Sequence, residues 1–199
     1  LMLAMLRAIG IESYLMAIYS GDPTYVREEY PTPSQFNHCI LAVRVGPSTE
    51  APTVFDNPSV GRLMAFDPTD PYAPVGDLPD HLQGSFALLM AGDAGGLVRM
   101  PVTPPDANRL DRKTEAKLGP DGSISGSISE RSTGSRAVDE RAGFEGLSRP
   151  DYDARINRWI GAGVPGARIS RIAPSDDRLA NRFGLDVEFA SDKYAQMMG

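Results

Sequence analysis

The chain has 199 residues, 41% hydrophobic and 23% charged, with a net charge of −6 and a single cysteine. That is enough for one full core or two smaller ones; one cysteine excludes an internal disulfide, and no uncharged apolar run of about eighteen residues exists to span a membrane. Charge is uneven: residues 1–98 carry 4 Lys/Arg against 11 Asp/Glu, residues 99–199 carry 16 against 15. The acidic first half argues against nucleic acid as a partner, because phosphate binding needs a concentrated basic face. The arginines of the second half are interleaved with acids and read as solvated surface.

Leu1 to Glu12 reads as a helix that stops at Gly10 and feeds a strand. It is apolar nearly all round, which predicts the buried centre of a fold. It has no basic lead or cleavage site of a signal peptide. It opens with no initiator Met, N-cap residue or polar lead-in, so the chain reads as a piece of a longer protein. Glu12 to Tyr19 alternates as a strand, broken by Ser20-Gly21-Asp22-Pro23. Tyr25 to Gln35 is a polar loop before the next strand, and Tyr25, Tyr30 and Gln35 are candidates for substrate contact.

Phe36 to Val45 is the second strand, opening on Asn37-His38-Cys39, and Gly61 to Asp67 is the third, closing on Asp67-Pro68-Thr69. Phe86 to Met90 and Leu97 to Met100 follow, separated by a glycine-rich turn. These strands predict an antiparallel sheet packed on the apolar helix, an α+β arrangement.

An imidazole and a carboxylate at two strand ends form the base and the orienter of a nucleophilic triad. Asp67 before a proline also reads as an ordinary turn initiator, and a lone histidine as a structural residue. Cys39 is a poor nucleophile for His38, because neighbours on a strand point to opposite faces; it reads as a small buried hydrophobe. His81 lies in a polar connection and reads as structural. No His-x-x-x-His or Cys-x-x-Cys spacing supports a metal site, and no cofactor is assigned.

Taken in order, the apolar helix, Asn37-His38 on a strand and Asp67-Pro68-Thr69 at a strand end resemble the transglutaminase-like (papain-like) cysteine protease superfamily. Similar text continues at Tyr72-Ala73-Pro74, at Gly76-Asp77-Leu78-Pro79 and at Leu82-Gln83-Gly84, and is like that of bacterial members with β-rich flanking domains. The resemblance implies a papain-like fold whose nucleophilic cysteine opens the buried helix, one or two turns before Leu1. It makes residues 1–100 the C-terminal part of the core and 101–199 a β-rich accessory domain. His38 would take the thiol proton and return it to the leaving amine; Asp67 would hold the ring. The implied activity is that of a cysteine peptidase, or an acyl transferase, acting on a peptide or protein in the periplasm or cell envelope. This piece alone would be inactive. The alternative is a non-catalytic binding or scaffolding module on the same fold.

After Pro101 to Pro105, Arg109 to Leu118 and Ser123 to Glu130 flank Gly119-Pro120-Asp121-Gly122, a hairpin signal. Helices are predicted over Ser135 to Leu147 and Pro150 to Ala162. In the second, Tyr152, Ile156, Trp159 and Ile160 form one apolar stripe with Trp159 as its core anchor. Strands over Arg168 to Ile172 and Leu185 to Phe189 complete a sheet that packs on helices. The Gly/Ser-rich span 122–134 lacks the lysine of a phosphate loop.

Overall fold

A computed structural model describes residues 1–30 and 32–196. The fold is α+β, and the chain divides into two compact units, Leu1–Pro104 and Pro105–Gly199.

The first unit contains α1 (Met2–Ala8) and strands β1 (Ser13–Ile18), β2 (His38–Arg44), β3 (Val54–Asn57), β4 (Gly61–Phe66), β5 (Phe86–Met90) and β6 (Gly96–Arg99). They make one antiparallel sheet in the order β3-β4-β2-β1-β5-β6. Alternation gives the sheet two apolar faces. Met16, Ile18, Ile40, Ala42, Leu63 and Ala65 point to one, where Leu78, Leu82 and Met100 from the connecting segments cover them. Leu41, Val43 and Phe66 point to the other, where Leu3 and Leu6 of α1 lie on them.

Gly10 ends α1 through its backbone conformation. Its φ of +79° lets Ile11 N–H reach Leu6 O at 2.9 Å and Gly10 N–H reach Arg7 O at 3.0 Å, the paired bonds of a Schellman stop. Arg7 then donates to Ser13 O at 2.9 Å, tying the helix end to the start of β1. The expected buried helix is not what forms. No residue of α1 is buried, and Leu1, Met2, Met5 and Ile9 are exposed, because seven residues cover only part of one sheet face and only Leu3 and Leu6 turn toward it. Strand β3 is absent from the sequence reading: its four residues, between Pro52 and Pro58, are too few for alternation to register. Its hairpin with β4 closes on Asn57 Oδ1, which accepts from Ser59 N and Val60 N, both at 3.0 Å.

The second unit contains β7 (Leu110–Leu118), β8 (Ile124–Thr133), α2 (Ser135–Glu145), α3 (Arg149–Gly163), β9 (Arg168–Asp177) and β10 (Arg182–Ser191), with an antiparallel sheet ordered β7-β8-β10-β9. The β7–β8 turn closes through Gly119 N–H to Ser123 O at 2.8 Å. Ser148 caps α3 at Asp151 N, with Pro150 in its first turn. Ile128, Leu185, Val187 and Phe189 form the core with Tyr152, Ile156 and Ile160.

Two residues of this unit differ from expectation. Trp159 is half-buried at the core's margin, while Tyr152 is fully buried with its ring edge-on to Phe144 at 5.0 Å. Residues 152, 156 and 160 stack in one i+4 row, and position 159 falls on its flank. Arg141 is fully buried rather than solvated; its Nε donates to Asp176 at 2.9 Å and its Nη1 to Asn181 Oδ1 at 3.2 Å, pinning α2 to the β9–β10 turn.

Truncation should matter in the sheet's core and not on the outer side of α1. Leu63→Ala, at a fully buried site, should lower unfolding free energy by about 2–5 kcal/mol. Met5→Ala, on the exposed side of α1, should stay within about 0.5 kcal/mol. Urea unfolding of the two variants checks this.

Candidate active site

His38 Nε2 lies 2.7 Å from Asp67 Oδ2. The sheet register produces this contact. Leu41 pairs with Phe66 at the end of the β2–β4 ladder, so Asp67, just beyond, falls on the same face as Ile40, and His38 is its diagonal neighbour one pleat further. Diagonal positions on one face are within reach of an imidazole and a carboxylate.

Each partner is fixed from its own strand end. Asn37 N–H donates to Ile18 O at 3.2 Å, and the Asn37 side chain accepts from Ser20 N at 2.6 Å and donates to Ser20 O at 3.2 Å. This amide extends the β1–β2 pairing past the ladder and fixes the backbone that carries His38. On the other strand, Asp67 Oδ1 accepts from Thr69 N at 2.9 Å and from Thr69 Oγ1 at 2.7 Å, an Asx turn that leaves Oδ2 for the ring. Asp70 repeats the device one turn on, accepting from Tyr72 N and Ala73 N at 2.7 and 2.8 Å.

The Asp67 side chain is 4% exposed and that of His38 25%. Burial pushes the Asp67 carboxyl up, but the hydrogen bonds from Thr69 and from His38 outweigh it and hold the group below its ordinary value of 3.8. An ionised carboxylate has no proton to give, so His38 Nε2 is the donor in this pair. When the ring is neutral, its remaining nitrogen, Nδ1, carries a lone pair. A buried anion holding a partly exposed imidazole in one tautomer is an arrangement that can serve as an oriented general base.

Comparison with family models, with curated proteins and with solved structures returned no match. The functional reading therefore stands on the residues themselves.

The other candidate residues separate from the dyad. Cys39 is exposed, not buried as expected, because it projects to the partly covered face that α1 occupies. Alternation puts it on the side of the sheet opposite His38 and Asp67, so its thiol and the ring do not share a site. Gln35 uses its amide on its own loop, accepting from Arg27 N at 2.8 Å and donating to Arg27 O and Tyr30 O. Tyr25 stacks on Tyr19 with ring centroids 3.9 Å apart, and Tyr30 is exposed. His81 is exposed on a one-turn helix, Asp80–Leu82. Among the described residues no three His, Cys, Asp or Glu side chains converge to hold a metal ion, and no helix is long and apolar enough to cross a membrane. Sequence reasoning missed the parts played by Asn37 and Thr69: both stand inside the Asn-His and Asp-Pro-Thr motifs, but which backbone each holds depends on the strand pairing.

Because the folded state depresses the Asp67 pKa, this group contributes stability that is present above its unfolded value and is lost as pH falls through the folded one. Asp67→Asn should therefore flatten the acid limb of the stability curve below about pH 4. Chemical denaturation at stepped pH for both proteins checks this; parallel acid limbs would contradict it.

Proposed function

We propose that this chain carries the base and orienter of a transglutaminase-like cysteine peptidase or acyl transferase, whose nucleophile is a thiol from outside residues 1–199. The contact between His38 Nε2 and Asp67 Oδ2 is the observation that supports the reading, because it leaves Nδ1 to accept a thiol proton. Thiolate attack on a peptide-like carbonyl would form a thioester as the amine leaves with the proton from His38. Water, or a second amine, would then release the acyl group, His38 again taking and returning the proton. Hydrolysis is the preferred outcome and a peptide or protein the preferred substrate, in the periplasm or cell envelope. The second unit would be an accessory domain to a papain-like core.

The thiol's approach has a length that can be worked out. Arg7 is tied to Ser13, at the end of β1 opposite the Ile18–His38 pair. From Ser13 to Ile18 the strand runs about 17 Å at ~3.4 Å per residue. A helix running antiparallel to it would cover that rise in about eleven residues. Counted back from Arg7, this arrives roughly one turn before Leu1. A thiol on the first turn of such a helix would sit at the positive end of its dipole, which favours thiolate. It must meet the ring past the end of β2, since Leu3 and Leu6 lie on the opposite sheet face from the dyad. That offset, with Cys39 also on the far face, is what favours the second reading, a binding or scaffolding module that keeps the fold without the chemistry.

Assays with peptide and thioester substrates separate the two. The chain by itself should show only background hydrolysis, unchanged by Cys39→Ala. A longer chain with the helix-opening cysteine should be active, and His38→Ala in it should lower kcat/KM by roughly 10³-fold. Activity of the 199-residue chain that is lost on Cys39→Ala would overturn the assignment, and inactivity of the longer chain would favour the module.

A further inference from the structure

The inward face of the second unit's sheet breaks its apolar pattern at one row. Arg112, Glu130 and Leu185 are directly opposed across β7, β8 and β10, beside the row of Thr114, Ile128 and Val187. Two charged side chains thus stand on the face against which α2 and α3 pack. The Glu130 side chain is 8% exposed and pairs with Arg112, whose guanidinium also covers the Trp159 ring at 4.9 Å from its centroid. A charge turned inward on a central strand costs free energy that an apolar pair of similar volume would not, and such breaks in a local pattern concentrate at functional sites.

Over this row is a cavity of about 400 Å³, within the range of ~300–1,000 Å³ usual for small-molecule sites. Ile156, Trp159 and Arg155 of α3 wall it on one side, and Arg136, Asp139 and Glu140 of α2 on the other. Its charges are matched. Arg136 meets Glu140 at 2.7 Å and Asp139 at 3.7 Å, and Arg155 meets Glu140 at 3.8 Å. An anionic or cationic guest would have to break one of these pairs; taking Arg112 away would leave a nearly buried carboxylate unpaired, which is strongly unfavourable. A hydroxyl group makes no such demand, because it donates to a carboxylate and accepts from a guanidinium at the same time. The part of the half-buried Trp159 ring that Arg112 leaves uncovered offers apolar surface to the C–H faces of such a guest, with the buried Ile156 and Leu185 beneath it.

The geometry points to a binding site for a neutral polyhydroxylated ligand, a mono- or disaccharide, in the cavity between the Arg112-Glu130-Leu185 row and helices α2 and α3. Trp159 is the only tryptophan of the chain, so its emission reports on this cavity directly.

The test titrates the whole chain with glucose, galactose, N-acetylglucosamine, maltose and cellobiose, following tryptophan emission and, in parallel, calorimetric heat. At least one sugar should give a saturable change in both. Glu130→Gln, which keeps the side chain's shape, and Glu140→Gln, on the helix side of the cavity, should each weaken that binding roughly tenfold or more, with far-UV circular dichroism and melting temperature showing a folded protein. If Glu130→Gln fails to fold, Glu140→Gln carries the comparison. Silence with every sugar, equal affinity in the folded variants, or saturable binding of inorganic phosphate or diglycine where the sugars are silent would overturn the assignment.

Discussion

The candidate site depends on one buried carboxylate. Asp67 is nearly sealed from water at the end of β4, where an unpaired charge would be costly, and three donors answer it: two from Thr69, two residues on, and one from His38, across the sheet. The Asx turn takes one oxygen and aims the other, so the local chain geometry decides what the second oxygen can hold. His38 is then oriented without needing a partner on its own strand. The Asn37–Ser20 amide pair fixes the other end of the same contact. Both strand ends must be in register for the imidazole and the carboxylate to meet, and the register follows from which residues of β2 and β4 can be buried together.

The same alternation that unites the dyad divides it from the rest of the proposed apparatus. His38 and Asp67 belong with Ile40 and Ala65 on the face covered by connecting segments, while α1 and Cys39 belong to the other. In the proposed enzyme, a thiol carried by a helix on the α1 face would join this base around the strand end, from the first turn of that helix and not from its middle. The positive end of a helix dipole is also where a thiolate is most stable, so position and electrostatics impose the same requirement.

Much of this is legible in the residues. The strand ends carrying His38 and Asp67, the glycine stop after the first helix, the Gly-Pro-Asp-Gly hairpin and both helices of the second unit follow from local chemistry, and local chemistry is what sequence displays. What escapes depends on which surfaces meet. A helix apolar on every side reads as buried, yet burial requires neighbours on every side, and α1 has Leu3 and Leu6 alone against a sheet. Cys39 reads as interior because free cysteines usually are, but its face of β2 is only partly covered. Trp159 takes the place of Tyr152 in a sequence reading that weighs size above the i+4 row. Arg141 looks like one more surface arginine, since its partners Asp176 and Asn181 come from a distant hairpin. The inward position of Glu130 is present in the alternation of β8, two residues after Ile128, and only the helices packed over it show that this face is the inner one.

The central claim is that Asp67 selects the tautomer of the His38 ring that, when neutral, carries its proton on Nε2 and a lone pair on Nδ1. Two-bond proton–nitrogen NMR of the histidine ring, recorded at a pH where the ring is neutral, reads this directly. The account predicts a protonated Nε2 and an unprotonated Nδ1 for His38, with that preference lost in Asp67→Asn. A proton on Nδ1, or the same mixture of tautomers with and without the carboxylate, would contradict it.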